Sequence, residues 1–380
     1  MRAAVSRLAD AEDAVAELDR ALRHPGLGFV LFFCSADYSL SALSRAFTHT
    51  FGEVPVVGCT TAGEITPRGY ERGCIVALGL DAAAFSVSCA LVDDLDRFDL
   101  PEAQQLVEGL IDDCRGRPPD PSEGVERRFA LTLLDGLSSR EEQVLATLEA
   151  ALGRIPSFGG SAGDDNRLAH THVYAGGRFH DRAAVVVMVA TRLPFEVFTT
   201  HHLRPLDHKL VVTRADSETR RVLELNALPA AEEYARLVGV PVAALDAATF
   251  ARHPLAVRIA EAHYVRSVQR VNADGSLSFY CAVETGIVLT AMQSAPLLEQ
   301  LEAVFAGLVE RLGEPTLIIG CDCFLRRLEL EGRDQLEAAS RLLGHYGVIG
   351  FNTYGEQHHG MHLNQTFTGV AIGSALPRGD

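Results

Sequence analysis

Histidines carry most of this chain's capacity for ligand and proton chemistry, and they are unevenly placed. Of 14 in the sequence, His170, His172 and His180 make one group, His201, His202 and His208 a second, and His358, His359 and His362 a third. Imidazole titrates near neutral pH and is the commonest metal ligand, so each group is a candidate site. The plainer role for any one of them is a surface or hydrogen-bonded residue. His358 and His362 lie four residues apart, a spacing that on a helix sets both on one face, as zinc sites require. Gly355 and Gly360 surround them, so a loop is expected instead, and no His-Glu-x-x-His is present. A metal-dependent hydrolase at His358 and His362 therefore stands third among the functional readings.

Eight cysteines are scattered along the chain, and Cys321-Asp322-Cys323 is the one close pair. Joined by Cys59 or Cys281, that pair could hold zinc or an iron–sulfur cluster, since thiolates suit either. Packing as small apolar side chains is the plainer expectation. A nucleophile needs a base in reach and a group to orient it. Cys59, His362 and Glu356 can be assembled on paper, but no known catalytic motif is present. The chain is expected not to be an enzyme.

Three small-residue turns end in an acid: Gly58-Cys59-Thr60-Thr61-Ala62-Gly63-Glu64, Gly159-Gly160-Ser161-Ala162-Gly163-Asp164 and Gly350-Phe351-Asn352-Thr353-Tyr354-Gly355-Glu356. Glycine there permits positive φ and close backbone approach. Exposed amides in such turns can hold an anion. No Lys-Ser/Thr follows the glycines, so these are not nucleotide P-loops. Two readings stay open. Either the turns are tight strand connections whose acids fasten neighbouring loops, or Thr61, Asn352, Tyr354 and Glu356 line a ligand pocket.

The elements that must position these residues recur as well. Apolar segments starting at Phe29, Phe129 and Leu317 precede Gly58, Gly159 and Gly350 by 29, 30 and 33 residues. Between them lie helix-like stretches, so the chain is an internal repeat of one architecture. Ser41 to Phe51 reads as a helix closed by Gly52, and Asp99-Leu100-Pro101 as the start of another. Ser139-x-x-Glu142 reads as a capping box. Gly116 to Gly124 is the clearest loop, Leu210–Thr213 a strand, and Asn272-Ala273-Asp274-Gly275 the loop of a hairpin. Alternating strands and helices make the fold class α/β, with internally repeated mixed β-sheets layered with helices. The domain boundary is placed near residue 203. Residues 1–203 hold two repeat units and 204–380 the third, the two halves packing together.

A chain of 380 residues, 47% hydrophobic and 22% charged, can bury a large core. Its formal charge of −16 and lack of a basic stripe argue against a nucleic-acid partner. Met1 to Arg23 has no apolar run of the kind a secretory leader needs. Apolar runs elsewhere are too short to span a bilayer. A cytoplasmic protein with reduced thiols is expected.

The stretches VPVVGCTTAGEI at 54–65, FGGSAGDD at 158–165 and IGFNTYGEQ at 349–357 resemble the N- and C-terminal halves of the FIST domain, a sensory module, over nearly the whole chain. HHLRP at 201–205, CDCFLRRLE at 321–329 and GFNTYGEQHHGMHLNQTFTGVAIG at 350–373 resemble its haem-binding, nitric-oxide-sensing branch, often called NosP. That resemblance implies haem iron held by a histidine, with His201, His202 and His362 as the candidates. It also implies control of a separate histidine kinase or of a diguanylate cyclase or phosphodiesterase acting on cyclic-di-GMP. The alternative is a haem-free sensor of an amino-acid-like small molecule near the special turns. A homodimer is compatible with either.

Overall fold

The computed structural model describes residues 1–114 and 128–374; the loop expected at 116–124 lies outside them. The first unit runs β1 (Arg2–Ser6), α1 (Ala11–Leu22), β2 (Leu27–Ser35), α2 (Leu40–Phe51) and β3 (Val56–Thr61). After the first special turn come a short hairpin, β4 (Glu64–Thr66) and β5 (Gly69–Glu71), and then β6 (Ile75–Asp81). The second unit repeats this order as β7 (Phe85–Val92), α3 (Leu100–Cys114), β8 (Arg128–Leu134), α4 (Glu141–Leu152) and β9 (Ser157–Ser161). Its hairpin is β10 (Val173–Ala175) and β11 (Arg178–His180), and it closes with β12 (Ala184–Thr191).

The third unit starts at β13 (Phe195–Thr200) and is then interrupted. The insert comprises β14 (Leu203–Asp216), β15 (Arg221–Leu225), β16 (Leu228–Pro229), α5 (Ala230–Val238), α6 (Ala247–Arg252) and β17 (Leu255–Ile259). It continues through β18 (Ala262–Arg266), β19 (Val268–Val271), β20 (Leu277–Phe279) and β21 (Val288–Ser294). The unit then resumes with α7 (Leu297–Leu312), β22 (Pro315–Cys323), α8 (Phe324–Gly332), α9 (Leu336–His345) and β23 (Val348–Thr353). Its hairpin is β24 (Glu356–His358) and β25 (Met361–Leu363), and β26 (Phe367–Gly373) ends it.

Each unit owns a mixed six-stranded sheet, and no sheet is completed by its own unit. The orders are β1-β6-β2-β3-β10-β11, β7-β12-β8-β9-β24-β25 and β13-β26-β22-β23-β4-β5. The first unit's hairpin thus extends the third sheet, the second unit's hairpin extends the first sheet, and the third unit's hairpin extends the second sheet. Strands β14 to β21 form a fourth sheet of their own. The insert's two ends meet where the Ala295 amide donates to the His202 carbonyl at 2.7 Å.

Alternation along the central strands explains their unbroken apolar sequence. Phe29, Leu31 and Phe33 of β2 face a core shared by all three sheets, together with Phe129, Leu131 and Leu133 of β8 and Leu317, Ile319 and Cys321 of β22. Phe33 and Phe351 stack there with centroids 4.5 Å apart. The other face of β2, Val30, Phe32 and Cys34, packs on α1 and α2. With both faces covered, every residue from Phe29 to Cys34 is apolar. Helices α3 and α4 cover the second sheet, and α7 to α9 the third. The three sheets therefore enclose one core, with a helical layer outside.

Local signals hold in part. The Asp10 side chain caps α1 by accepting the Glu12 and Asp13 amides at 2.9 and 3.0 Å, and Asp99 accepts the Glu102 amide at 3.0 Å. The capping box at Ser139 does not form. Helix α4 begins at Glu141 behind Arg140, without a side-chain cap, because the Glu142 carboxylate is drawn into a buried ion cluster. The strand expected at 210–213 is part of a 14-residue one, β14, whose outward residues such as Arg204, His208 and Lys209 are polar and masked the pattern.

Candidate functional site

The three special turns converge. Opposite Phe32, Thr132 and Gly320 on the central strands stand Gly58, Gly159 and Gly350 in parallel register. A Cβ on any of them would strike the facing carbonyl oxygen. Glycine is required there by close backbone approach, not by its φ. Beyond these glycines the turns bond to one another in a ring. The Ala62 amide donates to Asn352 O at 2.9 Å and the Asn352 amide to Gly63 O at 2.7 Å. The Gly163 amide donates to Thr60 O at 3.0 Å, and the Ser161 amide to Gly355 O at 2.8 Å.

The turn residues offered for a pocket are all buried and engaged with the protein. Thr61 Oγ1 donates to Glu64, Arg327 donates to Asn352 Oδ1 at 3.3 Å, and Tyr354 Oη donates to Asp164. Glu356 Oε2 accepts from the Thr366 amide and hydroxyl, each at 3.0 Å. Asp164 also gathers the Leu168, Ala169 and His170 amides at 2.9, 2.7 and 2.9 Å. The structure brings Thr61, Asn352, Tyr354 and Glu356 to one end of the shared core, where the acids fasten loops. Burial drives the Glu356 carboxyl well above its usual range. It raises Glu64 to about 7 against the hydrogen bonds from Thr61 and Cys74.

The three histidines offered to iron occupy different surroundings. His201 is exposed, and its Nδ1 accepts the Leu203 amide at 3.3 Å. His202 is buried, with Arg326 Nη1 at 2.9 Å from Nδ1 and Glu329 Oε2 at 2.9 Å from Nε2. Arg326 also donates to Asp322 at 2.6 Å, and the Tyr70 hydroxyl donates to the same carboxylate. His202 is thus one link of a buried chain from β5 through β22 and α8.

His362 is buried on β25 in a second ionic cluster. Its Nε2 is 3.6 Å from Glu141 Oε1 and its Nδ1 3.4 Å from Glu142 Oε1. Arg220, from the turn before β15, donates to Glu141 at 2.7 Å and also to Glu142. Ser161 donates to Glu141, and the Ala282 amide to Glu142 at 2.8 Å. Cys281 lies beside them, its thiol 2.9 Å from Asn364 Oδ1. Burial opposes charge on His362, but Glu141, then Cys281 and Glu142, outweigh it and hold the imidazolium well above its usual value. Burial also opposes charge on Glu142, and His362 and Arg220 pull it below the carboxylate range.

Expected pairings that need other geometry fail. Across the β24–β25 hairpin, His362 stands opposite Gln357, while His358 stands opposite Met361. His358 and His362 therefore point to opposite faces and cannot share a metal. Cys59, Cys321 and Cys323 are buried, and burial pushes their thiols well above the usual value. They pack as apolar side chains. Among the described residues the one group of three or more donors close enough to hold a metal is Glu142, Cys281 and His362. Sequence reasoning singled out His362 but missed Glu141, Glu142, Arg220 and the role of Cys281. Glu142 resembled a helix cap, and only the fold unites residues so far apart.

A cleft of about 900 Å³ opens elsewhere, beside the β10–β11 hairpin. Asp93, Asp94 and Asp96 line it together with Arg140, Arg178 and Arg182, and Arg140 donates to Asp96 at 2.7 Å. No described helix is long and apolar enough to cross a membrane.

The FIST N domain family model matches residues 28–228, and the FIST C domain model matches residues 230–359. The two matches meet inside the insert. No curated protein matches the chain.

Proposed function

The chain belongs to the FIST family, whose domains serve sensory signal transduction, and we propose from this premise that it is a haem-free receptor for an amino-acid-like zwitterion. The observation that carries the reading is the 900 Å³ cleft lined by carboxylates and guanidiniums together. Arginine pairs with a ligand carboxylate in a planar fork, and an aspartate accepts from its ammonium group. The hairpin bearing Arg178 belongs to the second unit but pairs with β3 of the first sheet. A ligand gripping Arg178 and Asp94 would therefore bias the placement of one unit on another. A histidine kinase, or an enzyme making or breaking cyclic-di-GMP, would read that difference.

Haem is the cofactor the sensing branch implies, and the buried histidines fit it poorly. Both ring nitrogens of His202 already have partners, and His362 lies against Gly355 between two carboxylates. Nitric oxide sensing through haem is the second reading, and one observation favours it. His201 is exposed where the insert leaves the third unit, with only Nδ1 engaged.

Purification with haem supplied and a thermal-shift screen of free amino acids separate the two. Stabilisation by an amino acid, lost in Arg178→Ala, with no Soret band, is the expected result. Ligand at a hundredfold excess over Kd stabilises by about 2.7 kcal/mol. A Soret band that shifts with nitric oxide and vanishes in His201→Ala would reverse the order of the readings.

A further inference from the structure

We propose that Glu142, Cys281 and His362 form a binding site for a thiophilic divalent cation of the zinc class, which clamps the insert onto the second unit. Imidazole, thiolate and carboxylate together are a donor set for zinc or cobalt, and three protein ligands leave a fourth position for water. The ligand atoms of the three residues lie within 4.8 Å of one another. Glu142 Oε1 and His362 Nδ1 are 3.4 Å apart, the edge of a tetrahedron with bonds of about 2.0–2.3 Å. A small closing movement of Cys281 completes the triangle.

A second observation bears on the site independently. The ring's other nitrogen, Nε2, is fully buried and makes no hydrogen bond, with Glu141 Oε1 3.6 Å away. A metal-bound histidine turns its second nitrogen to a carboxylate that fixes the ring, and Glu141 stands placed for that once Nδ1 takes the cation. Gly355 makes room for this edge of the ring, because a side chain there would occupy its place. The other face of the cluster is a ready outer shell: Glu142 Oε2 stays with Arg220, which fixes the carboxylate's orientation. Glu142 is 32% exposed at its side chain and marks the way in.

The charges balance. Without a cation, an imidazolium and Arg220 face Glu141 and Glu142. On binding, the imidazolium proton and the thiol proton leave to solvent, and two positive charges enter as two protons depart. His362 and Glu142 belong to β25 and α4, whereas Cys281 follows β20 of the insert. Occupancy therefore ties the fourth sheet to the body. This proposal does not depend on what fills the 900 Å³ cleft.

The test uses the full-length protein, stripped with chelator and titrated with Co²⁺ alone and then with Zn²⁺. One equivalent of Co²⁺ is expected to produce thiolate-to-cobalt charge-transfer absorption in the near ultraviolet, displaced by one equivalent of Zn²⁺. Cys281→Ser should abolish that absorption, and Glu142→Gln and His362→Gln should weaken binding at least tenfold, with far-ultraviolet circular dichroism confirming the fold. Absence of charge-transfer absorption in the wild-type chain at saturating Co²⁺ overturns the proposal without needing any variant to fold. Absorption that persists in folded Cys281→Ser overturns it as well.

Discussion

Arg326 Nη1 stands 2.9 Å from His202 Nδ1. A guanidinium can only donate, so Nδ1 must be the acceptor and the ring proton sits on Nε2, facing Glu329. His202 is thereby held neutral. Burial lowers its proton affinity first, and the neighbouring Arg326 adds to that against the pull of Glu329. His202→Ala should leave one hydrogen bond each of Arg326 and Glu329 unmade, while Asp322 and Arg333 still face them, and cost about 1–3 kcal/mol. The urea midpoint reads this, and an unchanged midpoint would show that the chain Tyr70–Asp322–Arg326–His202 holds nothing together.

Glu64 makes stability fall as pH rises. Burial lifts its folded carboxyl to about 7 from the ordinary 4.5. Below 4.5 both states are protonated and the group costs nothing. Between 4.5 and 7 the unfolded chain ionises first, so folding loses stability, and above 7 the loss is constant at about 3 kcal/mol. Glu64→Gln should lose less stability than wild type across that window and be more stable than wild type above it. Parallel thermal scans of the two proteins from about pH 4 to 8 check the sign.

Glycines here divide by what faces them. Gly350→Ala should push the Gly320 carbonyl away and part β22 from β23, a loss of about 3 kcal/mol as in other overpacked cores. Gly109, exposed within α3, has open space where a Cβ would stand, with nothing within 4 Å. Gly109→Ala should stabilise by about 0.5–1 kcal/mol through helix propensity. Opposite signs in one melting experiment would confirm the distinction.

Arg220 should govern the insert's attachment. Arg220→Ala removes the guanidinium from Glu141 and leaves it Ser161 and the His362 ring, 3.6 Å away, at a cost of about 1–3 kcal/mol. Hydrogen exchange should accelerate in β15 and β20 by more than in β2. Equal acceleration everywhere would mean that the insert and the body open as one.

The fold was legible where burial is two-sided. Phe29–Cys34 and Ala183–Ala190 are apolar throughout because a helix layer and the shared core cover opposite faces. The repeat was legible because Gly58, Gly159 and Gly350 answer to one steric demand. Strands β4, β10 and β24 have three residues each, too few for any periodicity, so nothing announced which sheet they would join. The site was less legible. His202 and His362 stand out in the sequence as clustered histidines, but a charged side chain's partner is set by tertiary approach, and Arg220 meets Glu141 from 79 positions away. Glu142 obeyed a local rule on paper that a buried ion cluster overrode.

The circular exchange of hairpins has a consequence for how the chain is made. As it leaves the ribosome, β3 waits for β10, more than a hundred residues later. Strand β9 pairs with β8 of its own unit, but its other edge waits for β24, almost two hundred residues later. Open strand edges invite pairing with other chains. Ribosomal stalling or truncation before Glu356 should release a product with an unfilled edge in its second sheet, prone to aggregate however well its first two units are formed.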